Sequence, residues 1–401
     1  MLRLAGVLLS CAASAQVSFR DDFEVPVVVQ AGNNWEQLFR DHLADTVSVS
    51  PLAAHTGDAG LHIVNALSSN AGAGSIGLMR FFSGTGAQHL RAWFRASAVT
   101  AATGYDSVAF ISRSSSFFTA CQLYFHAAAR GWRVAAFSET NQTTLRDSDG
   151  GVVPLGQWLL VELVATGMGT ANGRCRAWVD GVLIADVTGI DWSTVQFRDL
   201  SLGPVNTELG NETVYDYDGF GAAAQAMASR LQVSLPVPMA VGQCTRFTVG
   251  LRSSEGGGVM ATEDVPVALA TSGPLTLASD PQCAVPVAGA VIPAGVDSVA
   301  LYCLASQATD AGAVRATHPD LLDGVKGVSA LETPDAGVPD AGARDGGEAD
   351  AGGADAGASP PQRELAAGCG CGASPFGLLA AAALLGALRG LTARSGRRRR
   401  R

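Results

Sequence analysis

Between about residues 16 and 225 the chain is built of short runs that alternate apolar and polar positions, broken by Gly, Asn, Asp and Ser. Gln88-His89-Leu90-Arg91-Ala92-Trp93-Phe94-Arg95 and Gln122-Leu123-Tyr124-Phe125-His126 carry the pattern. Gly131-Trp132-Arg133-Val134-Ala135-Ala136-Phe137 and Trp158-Leu159-Leu160-Val161-Glu162-Leu163 continue it. A period of two with turn residues between runs predicts half-buried antiparallel strands. About a dozen such runs without a long amphipathic helix predict one large sandwich that buries one face of each strand.

Short motifs within this stretch give the sandwich a family resemblance. Gly156-Gln157-Trp158 stands before a strand, and Cys175-Arg176-Ala177-Trp178-Val179-Asp180-Gly181-Val182-Leu183-Ile184 reads as a hairpin turning on Asp180-Gly181. Tight hairpins need positive φ, which Gly adopts freely and Asp tolerates. This arrangement resembles the laminin G-like, concanavalin A-like jelly-roll family. The resemblance implies that Phe19-Arg20-Asp21-Asp22-Phe23-Glu24 and Tyr215-Asp216-Tyr217-Asp218-Gly219-Phe220 are paired terminal strands.

From about Arg230 to Leu331 a second set of β-type runs follows, among them Thr245-Arg246-Phe247-Thr248-Val249-Gly250-Leu251 and Ser298-Val299-Ala300-Leu301-Tyr302-Cys303. About 100 residues with roughly seven strands is the size of an immunoglobulin-like sandwich, and the unit resembles the bacterial surface-protein versions of that fold. Residues 332–367 are low in complexity, with Asp335, Asp340, Asp345, Asp350 and Asp355 recurring mostly in Asp-Ala-Gly. Such a segment has too little apolar surface to offset chain entropy and is expected to be a disordered acidic linker. The fold class expected is therefore all-β: a jelly roll over 16–225, an immunoglobulin-like domain over 230–331, the linker, and a hydrophobic helix within 368–401.

The two ends look like addresses. Arg3, the apolar Leu4 to Leu9 and Ala13-Ser14-Ala15 form a signal peptide over 1–15, with cleavage between Ala15 and Gln16. A rival reading takes Leu8-Leu9-Ser10-Cys11 as a lipoprotein box acylated at Cys11. At the far end Gly368-Cys369-Gly370-Cys371-Gly372 precedes an apolar stretch from Phe376 to Leu388 and the run Arg397 to Arg401. That helix is short for a bilayer span. The order resembles the myxobacterial MYXO-CTERM sorting signal, which implies processing by a rhomboid-like protease and Cys369 or Cys371 as the processing and lipid-attachment residue. A plain membrane anchor is the other reading of the same tail. The implied location is the outer surface, membrane-attached through the C-terminal segment.

Charge sharpens the picture. The formal net charge is −9. Removing both ends takes away eight Arg and no acidic residue, which leaves a body of about −17. A body that acidic repels phosphate backbones, so nucleic acid is excluded as a partner. Of the eight cysteines, Cys121 and Cys175 lie in the first stretch and Cys244, Cys283 and Cys303 in the second. An oxidising compartment favours the disulfide Cys121–Cys175. The last three allow three pairings, and Cys244–Cys283 is favoured because Cys303 sits in an apolar strand suited to a buried thiol.

Candidate chemistry is sparse. Gly72-Ala73-Gly74-Ser75-Ile76-Gly77 fits GxGxxG but is followed by a strand-like run, where a dinucleotide site needs a helix N-terminus. His55 and His62 are too far apart for one helical face. The densest carboxylate cluster, Asp21-Asp22-Phe23-Glu24, reads as a charged edge strand. Trp35, Trp93, Trp132, Trp158, Trp178 and Trp192 could include a sugar-stacking platform but are the material of a core. Hydrolases on this fold pair carboxylates on one strand, and no such pattern is present. No catalytic, ligand-binding or cofactor residue is assigned, the metal content is open, and Ca²⁺ in the jelly roll has no supporting motif. The expected function is a non-enzymatic, cell-surface binding or adhesion protein for a glycan or protein ligand. Its other partners are signal peptidase, the sorting protease and the membrane. The alternative is a carbohydrate-active, glycoside hydrolase-like enzyme on the jelly roll.

Overall fold

The computed structural model describes residues 19–332, except 31–34, 41–42, 67–75, 102–103, 114–118, 127–128, 141–142, 148–152, 205–211 and the single positions 85 and 195. The expectations for 1–15, for the linker beyond Glu332 and for 368–401 lie outside the described residues, and Ala15, Gln16, Cys369 and Cys371 with them. No helix among the described residues is long and apolar enough to cross a membrane.

Fifteen strands make the first sandwich: β1 (Phe19–Asp21), β2 (Gln37–Arg40), β3 (Thr46–Ser50), β4 (Gly60–Asn65), β5 (Ile76–Gly84), β6 (Gly86–Ala101), β7 (Tyr105–Arg113) and β8 (Thr119–His126). They continue with β9 (Gly131–Phe137), β10 (Thr143–Asp147), β11 (Leu159–Met168), β12 (Gly173–Val179), β13 (Val182–Ile190), β14 (Phe197–Leu202) and β15 (Glu212–Ala223). One sheet runs β13-β12-β11-β6-β15-β4-β3 with β1 added on β15, and the other runs β10-β9-β8-β7-β14-β5-β2. Hairpins β3-β4, β7-β8-β9-β10 and β11-β12-β13 stay within one sheet while β5, β6, β14 and β15 alternate between the two, which gives an antiparallel, jelly-roll-like sandwich.

The terminal strands pair as the resemblance implied, Phe19 opposite Ala222 and Asp21 opposite Phe220. Asp180 and Gly181 join β12 to β13 with φ of 49° and 73°, the left-handed pair a two-residue hairpin requires. Between the sheets Phe94, Phe125, Trp132, Tyr215 and Tyr217 interlock at ring separations of 5.3–6.3 Å. The Cys121–Cys175 disulfide ties β8 of one sheet to β12 of the other.

A second sandwich follows, with its own apolar core around Phe247, Val249, Leu277, Leu301 and Val314. Its two layers meet where Arg230 pairs in parallel with Leu322. The Cys244–Cys283 disulfide closes within it, and Cys303 is a buried free thiol whose burial pushes it up to about 11.

The two sandwiches meet across the outer face of the first sheet. Arg91 and Glu162 stand opposite each other on β6 and β11. The Arg91 guanidinium donates to the Ala228 carbonyl and the Ser254 hydroxyl to Glu162. Arg176 pairs with Glu255 at 2.5 Å and Arg20 with Asp320 at 2.7 Å. The part of that face around Arg91, Glu162 and Arg176 is occupied by protein.

Candidate functional site

Strand β8 sets the site. Cys121, Leu123 and Phe125 are in the core, so the alternation of a strand sends Gln122, Tyr124 and His126 to the opposite, outer face. Register carries that face across the sheet. On β7, Phe110 is opposite Gln122, Ser107 opposite Tyr124, and Tyr105 opposite His126. On β9, Arg133 is opposite Tyr124, with Asp147 of β10 next to it. On β14, Ser201 is opposite Phe110, and Asp199, two residues away, shares its face. Met79 of β5 is opposite Ser201.

The middle of this strip is buried yet polar. The Tyr124 hydroxyl donates to Gln122 Oε1 at 2.7 Å. Gln122 Nε2 and the hydroxyls of Ser107 and Ser201 are buried without a hydrogen-bond partner, and Asp199, also buried, is within reach of the Ser112 hydroxyl. Buried polar groups are almost always paired. Five polar side chains lie buried on one face of one sheet, where an apolar layer would be the ordinary filling. Burial pushes the Asp199 carboxyl up to about 6, opposed by the nearby Ser112 hydroxyl and by Arg198, whose Nε is 3.7 Å away.

The other end of the strip is more open and already organised. The Arg133 guanidinium lies over the Tyr105 ring at 3.7 Å, and His126 meets that ring edge-on at 4.3 Å. Arg133 is forked onto Asp147, with Nη2 2.9 Å from Oδ2. This hydrogen-bonded pairing holds the Asp147 carboxyl below the usual carboxylate range. The Ala129 N–H donates to His126 Nδ1 at 2.8 Å, so the neutral imidazole carries its proton on Nε2 and presents a donor.

The residues singled out from the sequence fall elsewhere. Both favoured disulfides form, and Cys303 is the free thiol. Ile76 and Gly77 open strand β5, so the Gly-rich motif leads into a strand as expected. Asp21 accepts from the Phe23 N–H at 2.9 Å and from Trp35 Nε1 at 2.7 Å, and Glu24 accepts the Asp58 N–H. The carboxylate cluster fastens loops rather than guarding an edge. His62 of β4 bonds Asp216 at 2.6 Å, and His55, in the loop before β4, stacks on Trp93 of β6 at 3.9 Å. Trp35, Trp132 and Trp192 belong to the core. No group of three or more metal-ligating side chains occurs among the described residues. Gln122, Tyr124 and Asp199 were missed as a site, although Gln-Leu-Tyr-Phe-His puts three hydrogen-bonding side chains on one face of one strand.

No family model matches the chain, and no curated protein matches it. Among solved structures, the endo-β-1,4-glucuronan lyase from the fungus Trichoderma reesei covers 48% of this chain and 92% of its own, at 13% identity and a TM-score of 0.38. The alginate lyase vAL-1 from Chlorella virus covers 47% and 92%, at 11% identity and a TM-score of 0.37. The alginate lyase from Klebsiella pneumoniae covers 45% and 84%, at 11% identity and a TM-score of 0.35. The expectation of a non-enzymatic binding or adhesion protein is corrected to this extent: the three solved structures just named are polysaccharide lyases, not binding or adhesion proteins. Paired carboxylates on one strand are what hydrolysis needs, whereas this strip carries an amide and a phenol on β8 and a buried acid on β14.

Proposed function

We propose that the chain is a carbohydrate-active enzyme that cleaves a uronate-containing polysaccharide by elimination on the outer face of its second sheet. The observation that carries the reading is the buried Gln122 amide, whose Nε2 donors are unpaired while its Oε1 holds the Tyr124 hydroxyl at 2.7 Å. In such an elimination the C–H bond beside the uronate carboxylate and the C–O bond to the departing sugar both break. A carbon–carbon double bond forms, and the departing oxygen takes up a proton. The step needs a donor that spreads the growing charge on the carboxylate and a group that moves a proton. Gln122 Nε2 supplies the first, and for the second an ionised Tyr124 oxygen takes the C–H proton and, as the phenol, returns it to the departing oxygen, with the His126 Nε2–H as a further donor.

Two-carboxylate hydrolysis fits this face less well. Asp147 is committed to Arg133, and Asp199 has no second carboxylate beside it among the described residues. The second sandwich serves in this reading as an immunoglobulin-like support. The two disulfides fit an exported protein, held at the outer surface through residues 368–401.

Glucuronan and alginate are the first polymers to assay. The wild type is expected to release unsaturated oligosaccharides, seen by their new ultraviolet absorbance. Tyr124→Phe is expected to lose at least about a hundredfold in rate, the scale of removing a proton-transfer group. Release of saturated products only, or full activity in Tyr124→Phe, overturns the reading.

A further inference from the structure

The open end of the strip already holds a carboxylate. Ser107, Tyr124, Arg133 and Asp147 form one row across β7, β8, β9 and β10. Arg133 is therefore the neighbour of Tyr124 on the next strand, one spacing of about 5 Å away. Its guanidinium forks onto Asp147 through Nε and Nη2. The Tyr105 ring lies against it at 3.7 Å, and His126 and Tyr124 stand edge-on to that ring. Both partners of the fork meet solvent, the Arg133 side chain being 23% exposed and that of Asp147 62%.

The two partners are held differently. Arg133 is stacked on Tyr105, which fixes the plane of its guanidinium independently of the anion it meets. Asp147 closes β10, a five-residue strand at the edge of the sheet, and its carboxylate is more in water than out of it. An exposed ion pair of this kind contributes little, so releasing Asp147 to solvent costs little. The fork itself, two parallel N–H donors on a planar carboxylate, suits a carboxylate from any source.

Resting on the enzymatic reading above, we propose that Asp147 is a built-in stand-in for a substrate carboxylate: it holds Arg133 in the free protein, and a carboxylate of the polymer displaces it and takes over the fork. One carboxylate leaves the guanidinium for water as another arrives, so charge balances and no covalent bond changes. The exchange makes the site selective, because a neutral sugar cannot take the place of Asp147. It also gives a polyanion approaching a chain of net charge −9 a cation to meet.

Binding of a uronate trisaccharide and of its carboxyl-reduced, neutral counterpart is measured by calorimetry at pH 7 on the full-length Tyr124→Phe protein, which blocks turnover. Asp147→Asn removes the competing charge. It is expected to tighten the uronate about two- to fivefold, the scale of an exposed ion pair, and to leave any binding of the neutral sugar unaffected. Arg133→Ala is expected to weaken the uronate at least about tenfold, and Asp147→Asn in that background to add no gain. A general charge effect gives the same gain with or without Arg133 and overturns the proposal. So does equal tightening of the neutral sugar, or an Asp147→Asn protein whose uronate affinity is unchanged or weaker, as a purely structural ion pair requires. Absence of uronate binding by the Tyr124→Phe protein overturns it too. Should Arg133→Ala misfold, Arg133→Gln takes its place with the same expectations. Failure of the enzymatic reading looks different: the wild type releases no unsaturated product while the Arg133-dependent gain remains.

Discussion

Asp199 shows how a single side chain can escape notice in the sequence. Phe197-Arg198-Asp199-Leu200-Ser201-Leu202 alternates as any half-exposed strand does, and its polar positions read as solvent-facing. Only the sheet reveals that Asp199 and Ser201 are buried. The folded carboxyl is raised from its ordinary 3.8 to about 6. Its contribution to stability is therefore fully present below about pH 3.8 and is lost as pH rises through about 6. Asp199→Asn is expected to gain stability relative to wild type at pH 8 and not at pH 4. Thermal unfolding at the two pH values checks this, and an equal shift at both contradicts it. Gln122→Ala leaves the Tyr124 hydroxyl without its acceptor. It is expected to cost about 1–3 kcal/mol of stability and, in the turnover assay, most of the activity.

Strand β8 was legible as a strand and not as a site. The period-two pattern in Gln122-Leu123-Tyr124-Phe125-His126 located it, and the paired ends Phe19–Asp21 and Phe220–Ala222 and the Asp180-Gly181 turn were likewise visible, because each rests on local rules of alternation and backbone φ. The site was not, because it is assembled by register among β5, β7, β8, β9, β10 and β14, strands distant in sequence. The same β8 carries Cys121, and its disulfide to Cys175 spans 54 residues. Closing a loop of that length is expected to contribute about 4 kcal/mol. Urea unfolding of Cys121→Ala/Cys175→Ala against the oxidised wild type measures it. Equal midpoints would remove the disulfide from the account of how the sheets are held.

At the scale of the whole molecule, the second sandwich does more than add length. It lies on the outer face of the first sheet through Arg91, Glu162, Arg176 and Arg20, which sequence patterns could not show because each partner comes from a different sandwich. Burial raises Glu162 above the usual carboxylate range against the pull of Ser254 and Arg91. Arg91→Ala removes that partner and is expected to cost about 3 kcal/mol, read by chemical denaturation. It should also hasten proteolysis in the connection at residues 224–229. Unchanged stability would mean the docking does not depend on this pair.

The central claim is that ligand meets the outer face of the second sheet. Chemical-shift mapping of the Tyr124→Phe protein with a short uronate oligosaccharide tests it most directly. The account predicts perturbations at Gln122, His126, Tyr105 and Ser201, with the first sheet's Trp93, Trp178 and His89 unmoved. Perturbations confined to those first-sheet residues, or to the second sandwich, would contradict it.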